Sequence, residues 1–299
     1  HSALRHEPLV DVHMSLLDMY TYHQARDLSS HTRFVYEYVC GRGSVETKRA
    51  LMQRVVHLIA DPHAASVRKT YALRVLLNPM LVSSYAAKEA PLSVETQVSV
   101  ASSQKPDCAH TIVSAANHEP LLNKEMVLLV VNQVWRIVQG HGMAMFTDDE
   151  LRVELLQMST LVLEHSADLL AAESTTKMDA IKFGWSFLPL EDVTVKHAAY
   201  LLISRFLQRF ESPLKITGQV YVGLLRLPPN DGRGLVRRAL DILVPALPER
   251  VPSTDSTSPP LWVKWTKRTL LDEGHYALQL CTILQLIVRY ADLFYPSRD

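Results

Sequence analysis

The chain has 299 residues, 47% of them hydrophobic, enough to bury a large core or two smaller ones. Its 31 Lys and Arg balance 31 Asp and Glu, so no overall field draws it to polyanions or to an acidic membrane. Cys40, Cys108 and Cys281 stand far apart with no CxxC spacing, which argues against a disulfide framework and for reduced thiols in the cytosol or nucleus.

The sequence opens "HSALRHEPLV" without a methionine and closes "LFYPSRD" directly after a helical pattern, and it reads as a segment of something longer. An aromatic helix, "FVYEYVC", ends at Cys40 before the glycines of "GRGSVETK". Next, "LMQRVVHLIADPHAASVRKTYALRVLL" makes two antiparallel helices with Asp61 and Pro62 at the turn. Residues 83 to 120, rich in Ser, Ala and Pro, read as a long connection or insertion, where a spliced-out segment would leave no mark.

An apolar helix over 124 to 139 follows, closed by Gly140 and Gly142, and then a helix opened by Thr147 and Glu150 in a capping-box arrangement. "AAESTTKMD", 171 to 179, reads as a polar loop. In "EDVTVKHAAYLLISRFLQRF" the residues Val195, Ala198, Ala199, Leu202, Phe206 and Phe210 line one helical face. "DGRGLVRRALDILVPALPER", 231 to 250, is apolar on two sides: Leu235, Ala239, Ile242, Leu243 and Ala246 on one, Val236, Leu240 and Val244 on the other. Asp231 is placed to cap it, and Pro245 should end or kink it after about Val244. After a polar loop at 250 to 260, a last face runs through Leu280, Ile283, Leu284, Ile287 and Ala291. The longest strictly apolar run, Met126–Val131, stops far short of the roughly 20 residues that cross a bilayer, so a soluble protein is expected.

A degenerate internal repeat ties these helices together. A Val followed by a basic residue, with Ala a few positions on, recurs as Val67-Arg68 with Ala72, Val195-Lys196 with Ala199, and Val236-Arg237 with Ala239. The first two stand 128 residues apart and the last two 41, which fits a period of about 43, inside the HEAT range. A helix pair that is apolar on both sides cannot bury itself alone, and stacking on its neighbours supplies the missing core. The expected fold is therefore all-α, an α-solenoid of HEAT-like antiparallel helix hairpins. Residues 1–82 hold hairpins, 83–120 the long connection, 121–170 a hairpin, 171–180 a loop and 181–299 further repeats.

The chemistry-bearing motifs are missing. Neither glycine cluster completes GxGxxG or GxxxxGK[ST], and turn glycines explain both. His118-Glu119 runs into Pro120 rather than completing HExxH, and His197 within a helix is a packing or surface residue. There is no GxSxG, HRD or DFG; Cys40 reads as a small buried apolar residue. The carboxylate pairs Asp148-Asp149 and Asp272-Glu273 are assigned to helix starts, where the macrodipole favours negative charge. Arg237-Arg238 and Lys264, Lys267 and Arg268 with Trp262 and Trp265 could suggest a nucleic-acid surface. Arginine stems covering apolar neighbours and tryptophans filling gaps between repeats are the preferred account of them. No catalytic, cofactor-binding or metal-ligating residue is assigned.

"KFGWSFLPLEDVTVKHAAYLLISRF", "SPLKITGQVYVGLLR", "GLVRRALDILVPALPER", "WTKRTLLDEGH" and "LQLIVRYADLFYPSRD" together resemble the helical-repeat region of the TRRAP family and its fungal counterparts. The resemblance is good over 181 to 299 and thin before it; Trp265, Glu273-Gly274-His275 and Tyr295-Pro296 with Arg298 carry it. It implies a very large nuclear scaffold related to the phosphatidylinositol-3-kinase-like kinases, with a kinase-like domain that lacks catalytic residues. Such a scaffold assembles histone acetyltransferase co-activator complexes and docks transcription activators. It implies no enzyme activity, cofactor, small-molecule substrate, membrane contact or direct nucleic-acid binding. The solenoid of an active kinase of that superfamily, or a karyopherin-type HEAT adaptor, would show the same helical pattern.

Overall fold

The computed structural model describes residues 7–23, 33–89, 119–141, 146–227, 233–252 and 258–297. Every regular element among them is helical, and helices of two layers alternate along the chain. One layer holds α1 (Glu7–His23), α3 (Val45–Ala60), α5 (124–141), α8 (Ser174–Ser186), α10 (Leu214–Arg226) and α12 (Leu261–Glu273). The other holds α2 (Val35–Cys40), α4 (66–89), α6 (Asp149–His165), α9 (Val193–Arg209), α11 (233–250) and α13 (Ala277–Arg289). A short α7 (Ala167–Ala171) links α6 to α8, and α14 (Ala291–Phe294) follows α13.

Several helices pack on the like helix of the next pair: α6 lies against both α4 and α9, and α9 against α11. This is the stacked-hairpin solution expected from two-sided apolar helices. The predicted face of α9 is buried throughout, Val195 and Ala199 at 0% exposure, and both apolar sides of α11 are covered while Arg237 and Arg238 reach solvent. The repeat signature falls where it should: Val67, Val195 and Val236 all lie in the first turn or so of second-layer helices, although Val67 itself is exposed.

Local chemistry fixes the starts. Ser44 accepts a hydrogen bond from the Thr47 amide, Asn123 from Met126, Asp148 from Glu150 and Asp192 from Val195, each satisfying an amide that the helix leaves open, worth about 1 kcal/mol. Pro213 and Pro260 stand immediately before α10 and α12 and preset the backbone for entry.

Several details differ from the sequence reading. The cap of α6 is Asp148 rather than Thr147, because the aspartate one residue on reaches the free amides first. The polar stretch 171–179 is mostly helix: α8 begins at Ser174, since Thr176, Asp179 and Ala180 turn inward and bury. Residues 83 to 89 continue α4 instead of opening a connection. The helix over 124–139 passes through Gly140 to His141, and Gly142 lies outside the described residues. Pro245 kinks α11 without ending it, because a tighter 3-10 turn over Val244–Ala246 absorbs the missing amide before Leu247–Arg250 resumes. In α13 the buried line is Gln279, Ile283 and Leu286, while Leu284 is 45% exposed and Ala291 falls beyond the bend at Tyr290. Asp231, Cys108, His118, Arg298 and most of 83–120 lie outside the described residues.

Candidate interaction surface

The steps between repeats are held by arginine–carboxylate pairs. In the first layer Arg54 of α3 meets Asp11 of α1 at 2.8 Å, Arg136 of α5 meets Asp179 of α8 at 2.8 Å, and Arg226 of α10 meets Asp272 of α12 at 3.2 Å. In the second layer Arg74 of α4 meets Glu154 of α6 at 2.7 Å, Arg205 of α9 meets Glu164 of α6 at 2.6 Å, and Arg289 of α13 meets Asp241 of α11 at 2.7 Å. Four of the pairs span 43, 43, 46 and 48 residues, the repeat period itself.

Burial decides which of these matter. Glu154 is 7% exposed and also receives the side-chain amide of Asn78 at 2.9 Å, whereas Arg54 and Asp11 are more than half exposed and contribute little. Asp241 additionally accepts from the Tyr290 hydroxyl at 2.9 Å; burial first, then that bond to a carboxylate, push the phenol up to about 12. Neutral hydroxyl bonds add to the ladder, with Trp135 Nε1 donating to Ser159 Oγ at 2.9 Å and Tyr221 sharing a 2.7 Å bond with Thr266.

One step stands apart. Between α8 and α10 no ion pair or side-chain hydrogen bond crosses among the described residues, and the two helices do not pack closely although α9 and α11 behind them do. The result is an open apolar groove of about 460 Å³, lined by Ile181, Lys182, Trp185 and Ser186 of α8 and Ile216 of α10. A second groove of about 420 Å³ lies between α11 and α13, with Val236, Leu240, Leu278 and Cys281 in its walls. A third, open cleft beside α1 is lined by Asp11, Asp18, Arg54 and Arg68, whose charges are already paired with one another.

The chemical groups singled out in the sequence come to rest as packing. No group of three or more His, Cys, Asp or Glu side chains among the described residues could hold a metal ion. His197 is 0% exposed with no hydrogen bond to either ring nitrogen, and burial lowers its pKa, so it sits as a neutral ring. Cys40 is 4% exposed, and burial pushes its thiol up, the opposite of an activated nucleophile. Gly43 belongs to the turn before α3, where a Cβ would lie 2.5 Å from the Val39 carbonyl oxygen; Gly234 instead sits inside α11.

Asp148 and Asp149 do open a helix, as expected, but Asp272 and Glu273 close one. Their unfavourable place at the C-terminus of α12 is offset by Arg226, 3.2 and 3.6 Å away, and by Arg268 one turn back. The tryptophans beside Lys264, Lys267 and Arg268 turn inward: Trp262 is 3% exposed and meets Phe294 edge-on at 5.1 Å, and Trp265 lies over Gly218 of α10. Neither ring is free to stack on a base. The groove between α8 and α10 had no sequence signal, because its walls come from helices about 30 residues apart whose separation only the packing reveals. No single helix among the described residues is long and apolar enough to cross a membrane.

Comparison with known proteins matches the whole chain, residues 1–299, to the family described as the Tra1 HEAT repeat ring region, so the likeness extends through the first 180 residues as well. A "Probable transcription-associated protein 1" of Dictyostelium discoideum is 29% identical over 98% of this chain and 6% of its own length. The "SAGA complex/NuA4 acetyltransferase complex subunit TRA1" of Saccharomyces cerevisiae is 37% identical over 50% of the chain and 4% of its own. The human "Transformation/transcription domain-associated protein" is 26% identical over 85% of the chain, again 6% of its length. The chain thus spans about one-sixteenth of the relatives it matches.

Proposed function

This chain belongs to the Tra1 HEAT repeat ring family, and we propose that it is a non-catalytic scaffold segment of a large transcription co-activator subunit acting in the nucleus. Its work is to hold other subunits of a histone acetyltransferase complex and to offer surface to transcription activators. The observation that carries this reading is the match of the family model to every residue, together with a yeast relative whose name makes it a subunit of two acetyltransferase complexes. The geometry supports it: the polar chemistry of the chain is spent on joining repeats, and what stays open is helix edge and apolar groove.

The test is affinity purification of the protein that carries this chain from nuclear extract, with acetyl transfer to histones measured in the eluate. Co-purified acetyltransferase is the expected result, alongside no ATP hydrolysis by the chain itself. An eluate without acetyltransferase, or a chain that turns over ATP, refutes the reading.

A further inference from the structure

We propose that the exposed first-layer face of α8, α10 and α12 binds the phosphate backbone of double-stranded DNA without reading its sequence. This goes beyond the scaffold reading and does not rest on it. The chain as a whole is neutral, yet its charge is unevenly placed. Helices α1, α3 and α5 of the first layer carry five Lys or Arg and five Asp or Glu. Helices α8, α10 and α12 of the same layer carry seven Lys or Arg against three acids, Asp179, Asp272 and Glu273.

Those acids are already occupied. Asp179 is 8% exposed and held by Arg136 at 2.8 Å, and Asp272 and Glu273 lie 3.2 and 3.6 Å from Arg226. The cations are open by comparison: Lys182, Lys215, Lys264 and Lys267 are exposed and form no ion pair among the described residues. Arg268, its side chain 82% exposed, reaches Asp272 only at 3.8 Å. In the flanking loops Glu173 meets Lys124 and Asp192 caps α9, which leaves Glu191 and Glu211 before α9 and α10.

Position makes these cations one surface. Lys182 stands in the wall that α8 shares with Ile216, the neighbour of Lys215. Lys215 and Lys264 flank the contact of Gly218 with Trp265, and Lys264, Lys267 and Arg268 stand at i, i+3 and i+4 along α12. Three helices side by side span about 20 Å, a length of duplex that carries roughly a dozen phosphates. Lysines meet them as flexible point charges, which fixes no register and reads no base. A duplex fits better than a single strand, because Trp262 is 3% exposed, Trp265 lies over Gly218 and Trp185 is partly buried, so none of the three rings is free to stack.

The probe is a fluorescein-labelled duplex of about 20 base pairs, titrated against the full chain by anisotropy over a range of salt. Saturable binding is expected, equal within about twofold for two unrelated sequences, with log affinity falling against log salt at a slope of about −3 to −4. Lys215→Gln with Lys264→Gln and Lys267→Gln should weaken binding at least about tenfold in about 0.1 M salt and flatten the slope by about 2 to 3. Arg237→Gln with Arg238→Gln, on α11 of the other layer, should leave both unchanged; all five sites are exposed, and unchanged circular dichroism verifies the fold. Absence of binding, a slope that survives the lysine changes, an equal loss in the α11 variant, or a single strand bound more tightly than the duplex overturns the proposal. So does an acidic peptide of equal charge that displaces the duplex at lower concentration, which would assign the face to a protein partner.

Discussion

Gly218 and Trp265 form a contact whose energetics can be reversed in sign. A Cβ built on Gly218 would stand 2.8 Å from both Cη2 and Cζ2 of Trp265, inside van der Waals contact with a rigid ring that closes the α10–α12 step. Gly218→Ala therefore sets two effects against each other. Replacing glycine inside a helix gains about 0.5–1 kcal/mol, whereas forcing a methyl into a filled space costs about 1–3 kcal/mol. With Trp265 present the clash wins, and Gly218→Ala should destabilise by about 1 kcal/mol.

In a Trp265→Ala background the obstacle is gone, and the same change should stabilise by about 0.5–1 kcal/mol, a coupling near 2 kcal/mol. Urea unfolding with the slope held constant measures each corner of the cycle, and hydrogen exchange at amides of α10 and α12 locates the effect, since stacked repeats open locally. Gly218→Ala moving stability in the same direction in both backgrounds would refute the packing account.

His197 gives a pH signature. Its pKa is lowered by burial from the ordinary 6.5, so the unfolded chain takes up a proton that the folded chain refuses, and stability is full above about pH 6.5 and falls as pH drops towards the folded value. His197→Leu should flatten the melting temperature between pH 7 and 5, and an unchanged pH slope counts against a buried neutral ring. Glu154→Ala should cost about 2 kcal/mol by taking the carboxylate acceptor from the buried Asn78 amide, which keeps only the Glu154 main-chain carbonyl at 3.3 Å, with the half-exposed Arg74 adding little because Glu150 remains 3.3 Å away; Glu154→Gln should cost about half as much, read from the urea midpoint. In a Cys108→Ser background, Ellman's reagent should modify the exposed Cys281 at once and Cys40 only on unfolding; equal rates would contradict the burial of Cys40.

Helices and their buried faces could be read from periodicity because the signal is local: Val195 to Phe210 repeats every three or four residues and lies inward as read. The period of about 43, sensed through three Val-basic pairs, returns as the spacing of Arg136 from Asp179 and of Arg226 from Asp272. Which arginine would meet which carboxylate could not be read, since each pair joins different repeats and Arg74 reaches Glu154 across 80 residues that include the long insertion. Polarity misled at 174–179, where a Ser- and Thr-rich stretch becomes helix once its neighbours bury Thr176 and Asp179. Adjacent acids misled at Asp272-Glu273, because charge favours helix starts on average while a partner as near as Arg226 outweighs that preference. The groove lay beyond reach for a related reason: a gap between two well-formed helices leaves no trace in either.

Pulled along its length, a stack of this kind behaves as elements loaded in series, each carrying the whole tension while the softest yields most. Six steps in the stack are braced by a charged strut, but the junction of α8 with α10 has none and is held behind by the packing of α9 on α11 and by Arg250, which donates to the Gln208 carbonyl at 2.7 Å. Under axial load the junction of α8 with α10 should open on its unbraced side and pivot on the packed one.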